Sequence, residues 1–191
     1  MKEKNNRIIV ISGNKGVGKD TVADIICELT NYQYEKFSFA SPIKEIASII
    51  LDDNVEKLDI CKELLLHDFN EILPINMTTR QLYQKIGDTF AELFGKDIFV
   101  KVLIHKLTYS NEFVVISDMR FLHEYEIIKH FNPIFIRVKT ENYQVDTSHY
   151  SETDLISLPD TAFDEVILNE KTINELTNDI RQILKKYSIY E

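Results

Sequence analysis

A glycine-rich stretch near the N-terminus, GNKGVGKDT (residues 13–21, the phosphate loop), has residue types and spacing that suit the binding of phosphate. Gly13, Gly18 and Lys19 match the pattern G-x-x-x-x-G-K, in which backbone N–H groups, the lysine and a helix N-terminus surround a phosphate. The pattern ordinarily continues with a hydroxyl that binds Mg²⁺, but here Asp20 and then Thr21 follow. A carboxylate suits Mg²⁺ directly or through water, so we expect these two residues to divide the role. The alternative is that Asp20 only stabilises the helix N-terminus electrostatically.

The segments around the loop predict alternating strands and helices. The apolar run RIIVIS (7–12) predicts a buried strand, and KDTVADIICELT after the loop has the spacing of an amphipathic helix. Further strands are predicted at 34–40, 112–118, 133–139 and 163–169, with helices between them, and residues 53–76 are expected to form a helical insertion. This alternation predicts a doubly wound α/β fold with a parallel sheet.

Three chemically suggestive segments follow predicted strands directly. They are 13–21, 118–120 and 139–152. Because ligands of such sheets bind at the carboxyl ends of the strands, we expect these segments to share one cleft. By analogy with phosphate-loop enzymes, Asp118 would organise the waters of Mg²⁺ or position the substrate that accepts a phosphoryl group, or else it would only cap the next helix. Arg120 would clamp a phosphate or form a surface ion pair.

The composition narrows the class of partner. A net charge of −9 argues against nucleic acid as the main partner, since such binding depends on a cationic surface. No apolar run approaches the roughly 20 residues of a membrane span, and residues 1–7 lack a signal core, so we expect a cytoplasmic protein. Cys27 and Cys61 are expected to be reduced core residues.

A set of motifs occurs in an order that resembles bacteriophage and viral deoxynucleoside monophosphate kinases. The motifs are GNKGVGKDTVADII, FASPIKEIA, TRQLYQKIGDTF, IFVKVLI, VVISDMRFLHEYEII, DTSHYSETDL and FDEVILNEKTINEL. In that family the Asp-Thr ending of the loop is usual. The resemblance implies one domain (1–191) with the three-layer P-loop NTPase fold of nucleoside monophosphate kinases. It also implies a helical acceptor-binding region (about 38–110) and a lid (about 139–155).

The same resemblance implies an activity and its site. Members transfer the γ-phosphoryl group of ATP to a deoxynucleoside 5′-monophosphate with Mg²⁺, and the likeness is compatible with a homodimer. The residues expected to bind ATP are Gly13, Asn14, Lys15, Gly16, Val17, Gly18, Lys19, Asp20, Thr21 and Asn169, the last bordering the adenine. The residues expected to bind the acceptor are Ser41, Lys44, Arg80, Gln81, Lys139, His149 and Glu152. Lys19, Arg80, Asp118 and Arg120 would be catalytic, and Asp20 and Asp118 would hold Mg²⁺.

Two departures and two alternatives qualify this expectation. Lys139 stands where the family pattern favours arginine, and the 53–76 insertion is short for some members. Another small-molecule kinase of the phosphomevalonate type shares the Gly-Lys-Asp loop and an Asp-x-Arg strand end. A nucleotide-dependent switch is the other alternative, although no Asp-x-x-Gly segment follows a predicted strand.

Overall fold

A five-stranded, wholly parallel sheet carries the phosphate loop. The computed structural model describes residues 5–60, 77–109, 113–141 and 158–190. The strands are β1 (Asn5–Ser12), β2 (Tyr34–Phe37), β3 (Phe113–Met119), β4 (Pro133–Lys139) and β5 (Glu165–Leu168). Their order across the sheet is β2-β3-β1-β4-β5. The central strand β1 therefore ends between the carboxyl ends of β3 and β4, where Ser12 is in register with Met119 and Arg137.

Helices are interspersed with the strands along the chain, as the alternating pattern predicts. They are α1 (Lys19–Leu29), α2 (Ser41–Leu51), α3 (Val55–Ile60), α4 (Thr79–Phe94), α5 (Ile98–Tyr109), α6 (Leu122–Ile128) and α7 (Ile173–Lys186). Short 3-10 turns follow at Lys129–Phe131 and Asp160–Ala162. No helix in these described ranges is long and apolar enough to cross a membrane.

Both faces of the sheet are buried, which explains why its strands read as nearly continuous apolar runs. Ile9 and Ile11 of β1 pack into a core with side chains of α1 and α7. Ile8 and Val10 point to the other face, because successive strand residues alternate, and they are equally inaccessible to solvent. The layered α/β architecture expected from the sequence is therefore present.

Two of the predicted strands are shorter than expected. The prediction of 34–40 fails after Phe37, since the N–H of Phe39 donates to the side chain of Asp118 (2.8 Å) instead of continuing a strand ladder. The strand predicted at 163–169 starts only at Glu165, because the N–H of Phe163 donates to the carbonyl of Asp160 and closes the preceding 3-10 turn. In both places a tight turn at the sheet edge replaces the last or first ladder bonds.

The chain forms two compact units. The first comprises the described residues up to Phe39 and from Ile104 onward, and so contains the sheet. The second is Ala40–Leu103; its described residues are mainly helical and have their own apolar core, formed by Ala47, Leu51, Leu58, Met77, Leu82 and Ile86. Helix α4 begins with a capping box, in which Thr78 and Gln81 satisfy each other's backbone N–H groups. The limits of this unit lie close to those predicted for the acceptor-binding region, whose role stays a prediction.

Candidate functional site

The phosphate loop joins the end of β1 to the start of α1. Gly16 and Gly18 have φ values of +81° and +93°, which L side chains rarely adopt. Gly18 is the N-cap residue of α1, and no side chain in the described part of the chain caps that helix end. The first N–H groups of a helix have no acceptor within the helix, and the helix dipole favours an anion at this end.

Lys19 spans the loop that precedes it. Its Nζ donates to the carbonyl oxygens of Gly13 (2.8 Å) and Asn14 (2.7 Å), and only 8% of the residue is exposed. These bonds hold the ammonium group beside the helix N-terminus. Phosphate oxygens are stronger acceptors than carbonyls, so the group is in place to bind an anion within the loop.

Asp20 takes the position at which the sequence pattern ordinarily has a hydroxyl. One of its carboxylate oxygens accepts a hydrogen bond from the hydroxyl of Ser117 on β3 (2.9 Å) and lies 3.3 Å from Nζ of Lys36. Desolvation by neighbouring groups would raise the pKa of Asp20, but the bond from Ser117 and the charge of Lys36 outweigh it and lower the pKa below its usual range. The side chain is nevertheless 77% exposed, so it presents an ionised and accessible carboxylate, a group that suits Mg²⁺.

The end of β3 brings Asp118 and Arg120 to the same edge of the sheet. One carboxylate oxygen of Asp118 accepts the N–H of Phe39, which ties the end of β3 to the segment after β2. The N–H groups of Arg120 and Phe121 both donate to one oxygen of Glu124, at 2.7 and 3.0 Å. The carboxylate of Asp118 thus fixes the end of β3, and the carboxyl group of Glu124 fixes the turn that follows it and carries Arg120.

Glu124 is itself unusual, since a carboxyl group that is only 6% exposed lies beside another carboxylate. Burial, with a further contribution from the negative charge of Asp118, raises the pKa of Glu124 to about 8. The two backbone N–H bonds and Arg120 oppose this rise without cancelling it. Glu124 is thus mainly protonated at neutral pH and still accepts both backbone bonds.

The strands on the other side of β1 also contact the phosphate loop. A Cβ added to Gly13 would lie closer than 3.0 Å to the carbonyl oxygen of Val138 on β4, so the loop can begin here only with glycine. Asn169, directly after β5, donates from its side-chain amide to the carbonyl oxygen of Val17 (2.9 Å). The residues predicted to bind ATP from 13 to 21, together with Asn169, thus lie at one edge of the sheet.

Lys139 lies at this edge too, but an acidic partner engages it. Its Nζ is 2.9 Å from Asp160, which also pairs with Arg137 (3.0 Å), and the guanidinium of Arg137 lies over the ring of Phe163. The hydrogen bonds from Lys139 and Arg137 lower the pKa of Asp160. The expected acceptor-binding cation therefore forms part of a local ion-pair cluster.

Four further predicted residues belong to the helical unit. Nζ of Lys44 forms an ion pair with Asp59 (2.6 Å), and the side-chain oxygen of Gln81 accepts the N–H of Thr78 in the capping box. Ser41 is the first residue of α2, and Arg80 lies in the first turn of α4. Their role in acceptor binding stays a prediction. The remaining two acceptor-side candidates, His149 and Glu152, lie outside the described residues.

Three residues at the site were not predicted from the sequence. Ser117, Lys36 and Glu124 hold Asp20 and the end of β3 in place. The sequence FLHE held a signal for Glu124, since a glutamate at the third position of a helix often accepts the N–H of the N-cap residue. The signal was weak because the N-cap residue, Phe121, is not a type that usually caps helices. Ser117 and Lys36 carry no local signal, because they reach Asp20 only through strand pairing.

Comparison with known proteins agrees with this geometry. The family model described as deoxynucleotide monophosphate kinase matches residues 7–72 and 55–180. A protein of Acanthamoeba polyphaga mimivirus, provisionally named a deoxynucleotide monophosphate kinase, is 27% identical over 200 residues, covering 91% of this chain and 93% of its own. The resemblance inferred from the ordered motifs is thereby confirmed.

Solved structures are similar in fold. The shikimate kinase of Acinetobacter baumannii, in complex with shikimate, has a TM-score of 0.51 at 14% identity, covering 96% of this chain and 95% of its own. A gluconokinase of Sinorhizobium meliloti has a TM-score of 0.49 at 14% identity, with coverages of 96% and 94%. The former likeness confirms the predicted α/β fold of P-loop kinases. The chain is a phosphotransferase and belongs to the deoxynucleotide monophosphate kinase family.

Proposed function

We propose that the enzyme transfers the γ-phosphoryl group of ATP to the 5′-phosphate of a deoxynucleoside monophosphate, giving the diphosphate and ADP. The observation that carries the proposal is that Lys19 and Asp20, at the start of α1, and Asp118, near the end of β3, lie at the carboxyl edge of one parallel sheet. Ser117 on β3 bonds Asp20 on α1, and Asp118 is the next residue of β3. Family membership supports the nucleotide as acceptor.

The donor triphosphate would bind along the phosphate loop. The N-terminus of α1, which no described side chain caps, offers backbone N–H groups, and Lys19 is already held across the loop by the carbonyls of Gly13 and Asn14. During transfer, negative charge shifts toward the leaving β-phosphate oxygens. A lysine held in this way stabilises that charge without reorganising, which is where such donors contribute most.

The acceptor phosphate is already an anion, so the reaction needs no strong general base. One of its oxygens forms a bond to the γ-phosphorus as the bond from that phosphorus to the bridging β–γ oxygen breaks. The protein's task is to hold two repelling nucleotides in line. We assign this to Arg120 at the end of β3 and, from the family resemblance, to Arg80, Ser41, Lys44, Gln81 and Lys139.

The donor set near the loop fits Mg²⁺. Asp20 offers an ionised and accessible carboxylate, and Asp118 a second carboxylate at the adjacent strand end. Oxygen ligands from one or two carboxylates, completed by phosphates and water, are what Mg²⁺ takes in kinases. When bound, Mg²⁺ would neutralise charge on the donor phosphates, and Asp20 and Asp118 would hold it directly or through water.

Product analysis tests the proposal. The purified protein is incubated with ATP, Mg²⁺ and each deoxynucleoside monophosphate, and the nucleotides are separated by anion-exchange chromatography. We expect a deoxynucleoside diphosphate to accumulate in step with ADP, and Lys19→Ala to abolish both. ADP that forms at the same rate with and without every acceptor, with no new diphosphate, would overturn the proposal.

A further inference from the structure

Asn169 contacts the phosphate loop across a sequence separation of 152 residues. It directly follows β5, and its backbone N–H donates to the carbonyl of Lys139 (2.8 Å), which fixes its position beside β4. Its side-chain amide donates to the carbonyl of Val17 at 2.9 Å. The main chain of the sheet thus sets where this amide meets the loop.

The same amide occupies the space where a side chain at Gly18 would lie. A Cβ on Gly18 would come closer than 3.0 Å to the amide nitrogen of Asn169, whereas a Cβ on Gly16 would meet no atom within 4 Å. Both glycines have positive φ values. Gly18 therefore has a requirement that Gly16 lacks, namely room for Asn169.

The bond to Val17 has a consequence for phosphate binding. The peptide between Val17 and Gly18 is trans, so its N–H points opposite to its carbonyl. By holding the carbonyl toward β5, Asn169 directs the Gly18 N–H away from itself, next to the N–H groups that begin α1. A freely rotating peptide at this position would lose that alignment.

We propose that Asn169 is a positioning residue for the phosphate loop, acting on bound triphosphate through the Val17–Gly18 peptide and not through contact with the adenine. This inference rests on the proposed use of the loop for a nucleoside triphosphate. It makes a distinctive prediction: if Asn169 acts through the loop, substituting it weakens the binding of a triphosphate to the same extent whichever base the ligand carries. If Asn169 instead contacts the adenine, the substitution weakens the binding of ATP but not that of a ligand with another base or with no base.

The test measures binding of ATP, GTP and inorganic tripolyphosphate by titration calorimetry to wild type, Asn169→Ala and Asn169→Asp. Loss of one hydrogen bond to a partly buried carbonyl predicts about tenfold weaker binding of all three ligands. Aspartate keeps the size of the side chain but removes the donor, so it should weaken binding at least as much as alanine. Far-ultraviolet circular dichroism selects the variants that are folded.

Two results would overturn the inference. Weaker binding of ATP alone, with GTP and tripolyphosphate unchanged, would assign Asn169 to the adenine. Unchanged binding of every ligand to both variants would remove any role in the loop. Binding is measured without acceptor, so absence of transfer to deoxynucleotides would refute the proposed function while leaving this result intact.

A matched pair of glycine variants gives an independent readout. Gly18→Ala should weaken tripolyphosphate binding more than Gly16→Ala, since only the former collides with Asn169. Adding Asn169→Ala removes the collision, so part of the Gly18→Ala defect should be relieved. The Gly16→Ala defect and that of Asn169→Ala should instead multiply. If Gly16→Ala and Gly18→Ala weaken tripolyphosphate binding equally, both with Asn169 present and with Asn169→Ala, the contact between position 18 and Asn169 would be contradicted.

Discussion

Replacing Glu124 with glutamine tests whether a protonated carboxyl group is built into the turn after β3. In the wild type one oxygen of Glu124 accepts the N–H groups of both Arg120 and Phe121. The carbonyl oxygen of glutamine can accept the same two bonds. The substitution therefore keeps the turn and removes only the ionisable group.

The magnitude follows from proton linkage. The pKa of Glu124 is about 8 in the folded chain, against 4.5 for an ordinary glutamate. Between these values the folded state retains a proton that the unfolded chain has released, so the wild type loses about 1.4 kcal/mol of unfolding free energy per pH unit. The stabilisation that the protonated Glu124 gives the folded state is fully present below about pH 4.5 and is lost above about pH 8. The total is on the order of 5 kcal/mol, which Glu124→Gln should not lose.

Urea unfolding, followed by circular dichroism between about pH 5 and about pH 8, measures the difference. We expect the stability of Glu124→Gln relative to wild type to increase steadily with pH. Glu126→Gln is the matched control, since Glu126 is on the same helix but exposed, and its difference from wild type should stay within about 0.5 kcal/mol. A difference between Glu124→Gln and wild type that does not change with pH would refute the reasoning.

Four other substitutions test the remaining parts of the account. Lys19→Ala should lower kcat by about 10²-fold or more without changing the circular dichroism spectrum, and retained turnover would remove the role of the loop lysine. Asp20→Asn should raise the Mg²⁺ concentration for half-maximal rate about tenfold, whereas an unchanged Mg²⁺ dependence would leave Asp20 only a helix-end charge. Ser117→Ala should raise the pKa of Asp20 toward 3.8, as followed by carbon-13 NMR, and an unshifted titration would mean that Lys36 suffices to lower it. Thr78→Ala should cost about 1 kcal/mol of stability in thermal unfolding, and an unchanged Tm would show that the α4 cap contributes nothing.

Local patterns in the sequence identified the framework of the site. The run RIIVIS followed by Gly13 predicted β1 and the loop, because a buried parallel strand is apolar throughout and a loop that binds phosphate needs glycine. Parallel topology then predicted that the ends of β1, β3 and β4 would meet, and Ser12 is paired with both neighbouring strands. Each of these inferences uses residues close in sequence or a rule about sheets.

Pairings between distant side chains lay beyond such reasoning. The sequence predicted Asn169 beside the adenine but not the bond from its amide to the loop, which depends on the register of β4 and β5. The role of Lys44 in acceptor binding stays a prediction, and the sequence did not predict its pairing with Asp59, whose position depends on how α2 and α3 pack. Lys139 pairs with Asp160 for a similar reason. Charge and spacing suggest what a residue can bind, while tertiary packing decides which partner it meets.

The central claim, that the acceptor is a deoxynucleoside monophosphate, is tested most directly by a panel of acceptors. Initial rates of ADP formation are measured with ATP and Mg²⁺ and, in turn, every common deoxy- and ribonucleoside monophosphate, phosphomevalonate, shikimate and gluconate. Lys19→Ala gives the background rate. The account predicts that at least one deoxynucleoside monophosphate accelerates ADP formation well above the rate without acceptor. Acceleration by a non-nucleotide acceptor, with none by any nucleoside monophosphate, would contradict it.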